Sequence, residues 1–178
     1  NPSSGKRPTA LLDAASILWR WQIYGLGAGA PAWEPVVALA KEKTQLGALG
    51  DAHAALAFAG SGDEEALTAF LENLRQRAAD GNTLVGEVSL PLAEGVAAFS
   101  RGDYAASIRL LESVEDQIVR IEGSNAQREV FEDTLIQAQL RSEQTDCAAA
   151  RLRRRLEHRQ SARDTSWLAQ AEFETKKS

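Results

Sequence analysis

Apolar residues recur at helical intervals along most of the chain. Leu11, Leu12, Ala15, Leu18, Trp19 and Ile23 share one stripe, which predicts an amphipathic helix with that stripe turned to a core. Gly25, Gly27 and Gly29 with Pro31 end it in a loop. Pro35 suits the first position of the next helix, where its missing N–H costs nothing. A further glycine-marked turn, QLGALG, leads to Asp51, whose carboxylate suits the N-cap of AHAALAFA. Residues 1–8, NPSSGKRP, lack this periodicity and read as a linker or tail, whereas residues 9–175 read as one helical domain.

From Asp51 onward a unit repeats. DAHAALAFAGSGDEEALTAFLENL places a small-residue helix, a tight turn at Gly62-Asp63 and a second helix in succession. LPLAEGVAAFSRGDYAASIRLLESV does the same around Gly102-Asp103, and a degraded third copy runs from Thr134 through Gln144-Thr145 to the helix at 147–160. Helix, turn, helix at a period of about 40 residues predicts an all-α fold, an α-solenoid of antiparallel helix pairs. In the middle copy Gly95, Gly102-Asp103-Tyr104 and Ser107 with Leu110, Leu111 and Val114 suit a tetratricopeptide-like arrangement. Small residues there let paired helices approach, and the larger ones fill the space between pairs. Pro91 falls inside the pattern and predicts a kinked or restarted helix.

The stretch GSNAQREVF, residues 123–131, combines two signals. Ser124 and Gln127 form a Ser-x-x-Gln capping box, which accounts for a polar Gln127 on the face of Ala126, Val130, Phe131 and Ala138. The same nine residues resemble the signature of the tetratricopeptide repeat protein 38 family, with Glu129 in place of an aspartate. Leu90-Pro91-Leu92, Asp51-Ala52-His53 and Leu18-Trp19-Arg20 follow in the order that family shows. The resemblance runs from about Leu11 to Ala171 and corresponds to the C-terminal half of a typical member. It implies a helical-repeat architecture rather than an activity. Glu122 stands where the family usually has glycine, Ala32 where an arginine usually precedes the tryptophan matched by Trp33, and SARDTS replaces a proline-rich link.

Composition narrows the classes further. The chain has 178 residues, 44% of them hydrophobic, which suits one domain with a real core. A net charge of −5 gives no general attraction to nucleic acid or anionic lipid. Charges interrupt every apolar run before it reaches transmembrane length, and no secretory signal follows Lys6 and Arg7. The single cysteine, Cys147, rules out an internal disulfide and suits a reducing compartment, with the cytoplasm as the expectation. The chain begins at Asn1 and contains no methionine, which suggests a processed product or part of something longer.

Candidate sites follow from residue type and spacing. Ser124, Asn125, Gln127 and Arg128 offer amides and a guanidinium to a peptide backbone or carboxylate; alternatively Ser124 and Gln127 only cap the helix while Arg128 pairs with Glu132 four residues on. Asp51 and His53 are the histidine–carboxylate pair at an expected helix start, too few ligands for a catalytic metal. RLRRRLEHR, residues 151–159, is a basic patch that suits phosphate or RNA, but Leu152 and Leu156 turn one face inward and Arg153 can pair with Glu157, so a solvated face is expected. No aromatic residue interleaves it for base stacking. Trp19 belongs to the apolar stripe, while Trp21 and Trp167 are expected to be partly exposed. No nucleophile elbow organises the serines, and no histidine lies near Cys147.

The expectation is a non-catalytic scaffold without cofactor, binding a protein or peptide on a concave face near Asp51, Leu92 and Asn125, with Gln127, Arg128 and His53 contributing. Nucleic acid and membrane are not expected partners. The alternative is the C-terminal fragment of a larger enzyme or regulatory protein whose active groups lie in a missing half.

Overall fold

Left-handed glycines and aspartate caps divide the chain into helices. Gly62 and Gly102 adopt φ of 74° and 78°, conformations that cost a glycine little. The next residue caps the following helix in both turns: the Ala66 and Ala106 amides each donate to the carboxylate of Asp63 and Asp103, at 3.0 Å. The third turn has Glu143 rather than glycine at φ 62° and no side-chain cap, matching its degraded sequence.

The computed structural model describes residues 6–27, 29–42 and 46–175. Among them the regular structure is entirely helical: α1 (Lys6–Ile23), α2 (Ala30–Lys41), α3 (Gly47–Ser61), α4 (Glu64–Ala79), α5 (Leu90–Ser100), α6 (Tyr104–Glu112), α7 (Asn125–Arg141), α8 (Thr145–His158) and α9 (Ala162–Thr175). A π-helical turn, Val85–Ser89, runs directly into α5, and a 3-10 segment, Glu115–Ile121, separates α6 from α7. Among the described residues no helix is long and apolar enough to cross a membrane. Residues 1–5 of the expected linker lie outside the described residues, and Lys6–Pro8 belong to α1.

Two local expectations change, and the restart expected at Pro91 is found. The helix α3 begins at Gly47, about a turn before Asp51, so Asp51 is an interior residue and not an N-cap. Similarly, α2 begins at Ala30 with Pro31 in its first turn, leaving Pro35 inside the helix. Pro91 follows the π turn, and the helix restarts at Leu90. The wider π turn absorbs the hydrogen bond that proline cannot make.

Packing centres on α3, which is buried continuously from Gly50 to Ala59. Such a helix has no polar face, and its five alanines from Ala52 to Ala59 admit close neighbours on several sides: α1, α2, α4 and α5 all contact it. Close approach is literal at Gly95, where an added Cβ would lie 2.8 Å from Leu111 Cδ2. At Gly60 it would lie 2.3 Å from the Trp33 ring. The first helix returns against both α3 and α7. Trp19 Nε1 donates to Thr134 Oγ1 at 2.8 Å, and Thr134 Oγ1 donates in turn to Val130 O at 2.7 Å. One apolar cluster runs from Leu11 to Ala138, whereas Ile136, Ala148, Leu152 and Trp167 form a small second cluster under α8 and α9.

Candidate functional site

The N-terminus of α7 is held from both sides. Gln127 N donates to Ser124 Oγ at 3.2 Å and Ser124 N donates to Gln127 Oε1 at 2.9 Å, the reciprocal capping box expected from the sequence. Gly123 has φ 77°, and a Cβ there would meet Leu49 Cδ2 at 2.6 Å. Its neighbour Glu122, at φ 66° and ψ −156°, occupies backbone space that is essentially glycine's. Arg128 does not pair with Glu132. Its guanidinium donates to Glu122 O at 2.8 Å, to Gly123 O, and to Asn125 Oδ1 at 2.6 Å. A chain reversal with unsatisfied carbonyls is a better partner for it than an exposed carboxylate, because a guanidinium fork reaches several acceptors at once.

A cleft of about 350 Å³ opens between this cap, the 3-10 segment and α6. Leu92, Leu111, Ile118, Val119, Phe131 and Leu135 give it apolar walls, and Val119 is 63% exposed. Its polar lining is Glu115, Asn125, Arg128, Glu129 and Glu132. Asn125 and Arg128, two of the expected binding residues, therefore line one cavity.

Asp51 and His53 do not join them. Both are buried, at 1% and 0% exposure. Asp51 accepts a two-pronged hydrogen bond from Arg77 at 3.0 and 2.8 Å; burial pushes its carboxyl up while Arg77 opposes that. His53 Nδ1 lies 2.8 Å from Leu49 O, which makes it the protonated nitrogen of the neutral ring because a carbonyl only accepts. The ring meets Phe131 edge-on, and burial pushes the His53 pKa down to about 4. Neither is exposed on the surface where the sequence placed it, and Asp51 with Arg77 borders a different cavity, against α2 and α4. Helix α3 starts earlier and lies deeper than its local pattern suggests.

Behind the cleft, α7 presents Glu129 and Asp133 to α8 and α9. Asp133 is fully buried, with Arg20 Nε at 2.9 Å, Arg155 at 2.9 Å and Arg163 at 3.1 Å. The Tyr24 hydroxyl stands 3.3 Å away. Glu129 takes Arg155 at 2.6 Å, Arg163 at 3.0 Å and Arg159. Burial would raise the Glu129 carboxyl, but hydrogen bonds from Arg159 and Arg163 and the charge of Arg155 outweigh it and hold the pKa at about 2. Buried Asp164 completes the network, with Arg155 at 3.2 Å and Arg163 at 2.7 Å.

The basic patch is in part the solvated face expected, since Arg153, Arg154, Glu157, His158 and Arg159 are exposed, but most of its arginines are tied into ion pairs across helices. Arg151 pairs with Glu112 of α6 and Glu115 of the 3-10 segment, Arg153 pairs with Glu172 of α9 rather than Glu157, and Arg155 and Arg159 enter the network. Trp21 is half exposed as expected, but Trp167 is buried, with Arg163 5.1 Å from its ring centroid. The network escaped a single-helix reading. Its signal was two facing registers of opposite charge, Glu129 with Asp133 and Arg155 with Arg159, each at four-residue spacing.

Among the described residues no group of three histidine, cysteine or carboxylate side chains is placed to hold a metal ion. No protein-family model matches the chain, and no solved structure matches it.

Proposed function

We propose that the chain is a tetratricopeptide-like helical-repeat module that docks a segment of a partner protein in the cleft between the 3-10 segment and α7. The Asp-capped turns at Gly62-Asp63 and Gly102-Asp103 support the repeat reading, as does the resemblance of residues 123–131 to the tetratricopeptide repeat protein 38 signature. The observation that carries the docking reading is an open cavity with apolar walls and a mostly charged rim, a combination suited to anchoring a side chain and orienting its backbone.

Docking moves away from the face first expected. That face comprised the first helices of the pairs, α3, α5 and α7, but α1 packs against α3 and α7 and its Trp19 ring lies 5.8 Å from that of Phe99 in α5. Asn125, at the far end of α7, remains accessible.

Val119→Asp tests the proposal, because Val119 is exposed and its replacement leaves the core intact. The expected result is loss of the partner from affinity-purified full chain with an unchanged thermal melt. Retention of the same partner at the same yield overturns it.

A second reading has its own observation. Ile17 and Trp21, four residues apart, are 52% and 51% exposed on α1, with Leu26 beyond them. A larger protein or assembly containing this chain would cover that stripe. Trp21→Lys then removes the association that Val119→Asp leaves intact.

A further inference from the structure

We infer that the segment docked in the cleft is basic and flanked by apolar residues, with the stem of a lysine or arginine lying on Leu111 and Ile118 and its cation meeting Glu132. This inference rests on the docking reading and adds the chemistry of the occupant.

Charge complementarity carries it. The cleft is lined by three carboxylates, Glu115, Glu129 and Glu132, and one cation, Arg128, a balance of −2. The cation is not available to an acidic partner, since its guanidinium already serves two carbonyls and Asn125 Oδ1. Two of the carboxylates are also well served. Glu129 is shared by three arginines, and Glu115 is paired with Arg151.

Glu132 is different. Among the described residues its one ion pair is with Arg155 at 3.6 Å, too long for a hydrogen bond. Arg155 makes closer contacts with Glu129, Asp133 and Asp164, at 2.6, 2.9 and 3.2 Å. Glu132 keeps a third of its side chain accessible, and burial pushes its carboxyl up while Arg155 opposes that. A carboxylate that has lost water without gaining a close donor favours an incoming cation. The surrounding walls reward the methylenes that such a cation carries. An acidic segment would meet repulsion there, and a wholly apolar one would desolvate Glu132 further without compensation.

The test uses the full chain and three probes followed by amide NMR: the acetylated, amidated tripeptide Leu-Lys-Leu, its norleucine counterpart Leu-Nle-Leu, and n-hexylammonium. The lysine peptide is expected to shift the amides of Val119, Asn125 and Leu135 and to bind roughly tenfold tighter than the norleucine peptide, the ratio expected of one part-buried ion pair. Glu132→Gln should erase that ratio by weakening only the lysine peptide, whereas Glu34→Gln, exposed on α2 and outside the cleft, should preserve it. Equal binding of the two peptides overturns the cation claim and leaves cleft docking standing. Hexylammonium binding as tightly as the lysine peptide overturns the assignment to a protein segment in favour of a free amine. Absence of cleft shifts with all three probes overturns the inference, while Val119→Asp still decides docking itself.

Discussion

The two ends of this molecule are held by different forces. From α1 to α7 a single apolar cluster carries the structure, and α3 contributes an unbroken run of buried residues. Among the described residues α8 and α9 meet Ile136 of α7 in an apolar cluster of four buried side chains, and an ion network fastens them as well. In that network Arg20, Arg155, Arg159 and Arg163 meet Glu129, Glu132, Asp133 and Asp164, four charges of each sign. Apolar burial tolerates several arrangements of similar energy, but a buried carboxylate tolerates only the arrangement that brings its cations. In this protein the network sets how the last two helices sit, and it is more fragile to the loss of one member than a core of the same size.

The largest expected effect breaks that contrast at its hub. Asp133→Ala leaves three arginines facing an uncharged site and should cost about 3–5 kcal/mol. Hydrogen exchange should show protection falling first across residues 145–175 while residues 52–59 keep theirs. Leu56→Ala, a deletion in the apolar cluster costing about 2–5 kcal/mol, should lower protection across both regions together. Equal loss everywhere in Asp133→Ala would remove the distinction.

Acid separates the two regions next. Folded His53 has a pKa of about 4, below the usual 6.5, so between those values the unfolded chain binds more protons and stability falls as the pH drops. The loss amounts to roughly 3 kcal/mol across that window. His53→Leu should remove this slope from a series of denaturant melts. Glu129, held at about 2 against an ordinary 4.5, contributes stability that is present above pH 4.5 and lost as the pH falls toward 2. The apolar region should therefore weaken before the ion network does.

Smaller effects sharpen the boundary beside the cleft. Ser124→Ala removes half of the capping box and should cost about 1 kcal/mol. Glu122→Gly should act in the opposite sense: relief of a strained φ outweighs the added freedom of the unfolded chain, for a gain of about 1 kcal/mol. Thermal melts of the two single variants measure both. Destabilisation by Glu122→Gly would mean that the glutamate side chain compensates for its backbone.

What was legible in the sequence was what short-range physics determines. The helix–turn–helix units at Gly62-Asp63 and Gly102-Asp103, the Ser124–Gln127 box and the close approach at Gly95 each depend on a few adjacent residues or one helix pair. Asp51 was misread for the opposite reason. Its local signature is that of a cap, but its partner is Arg77, twenty-six positions on. Arg128 and Arg153 were likewise matched to carboxylates on their own helices, whereas the fold offers each a better acceptor outside its four-residue neighbourhood. Asn125 and Arg128 were named as candidates and do line one cavity, but the apolar walls of that cleft come from α5, α6, the 3-10 segment and α7 together, and no local pattern announces that.

The most direct test of the functional account is site-specific photo-cross-linking. A benzophenone amino acid would replace Val119 in one full-length variant and Trp21 in another, and each cross-link would be mapped to the residue it reaches. The account predicts that position 119 reaches one recurring segment containing a lysine or arginine beside apolar residues, and that excess Leu-Lys-Leu peptide suppresses it. A silent position 119 alongside a single reproducible cross-link from position 21 would contradict it.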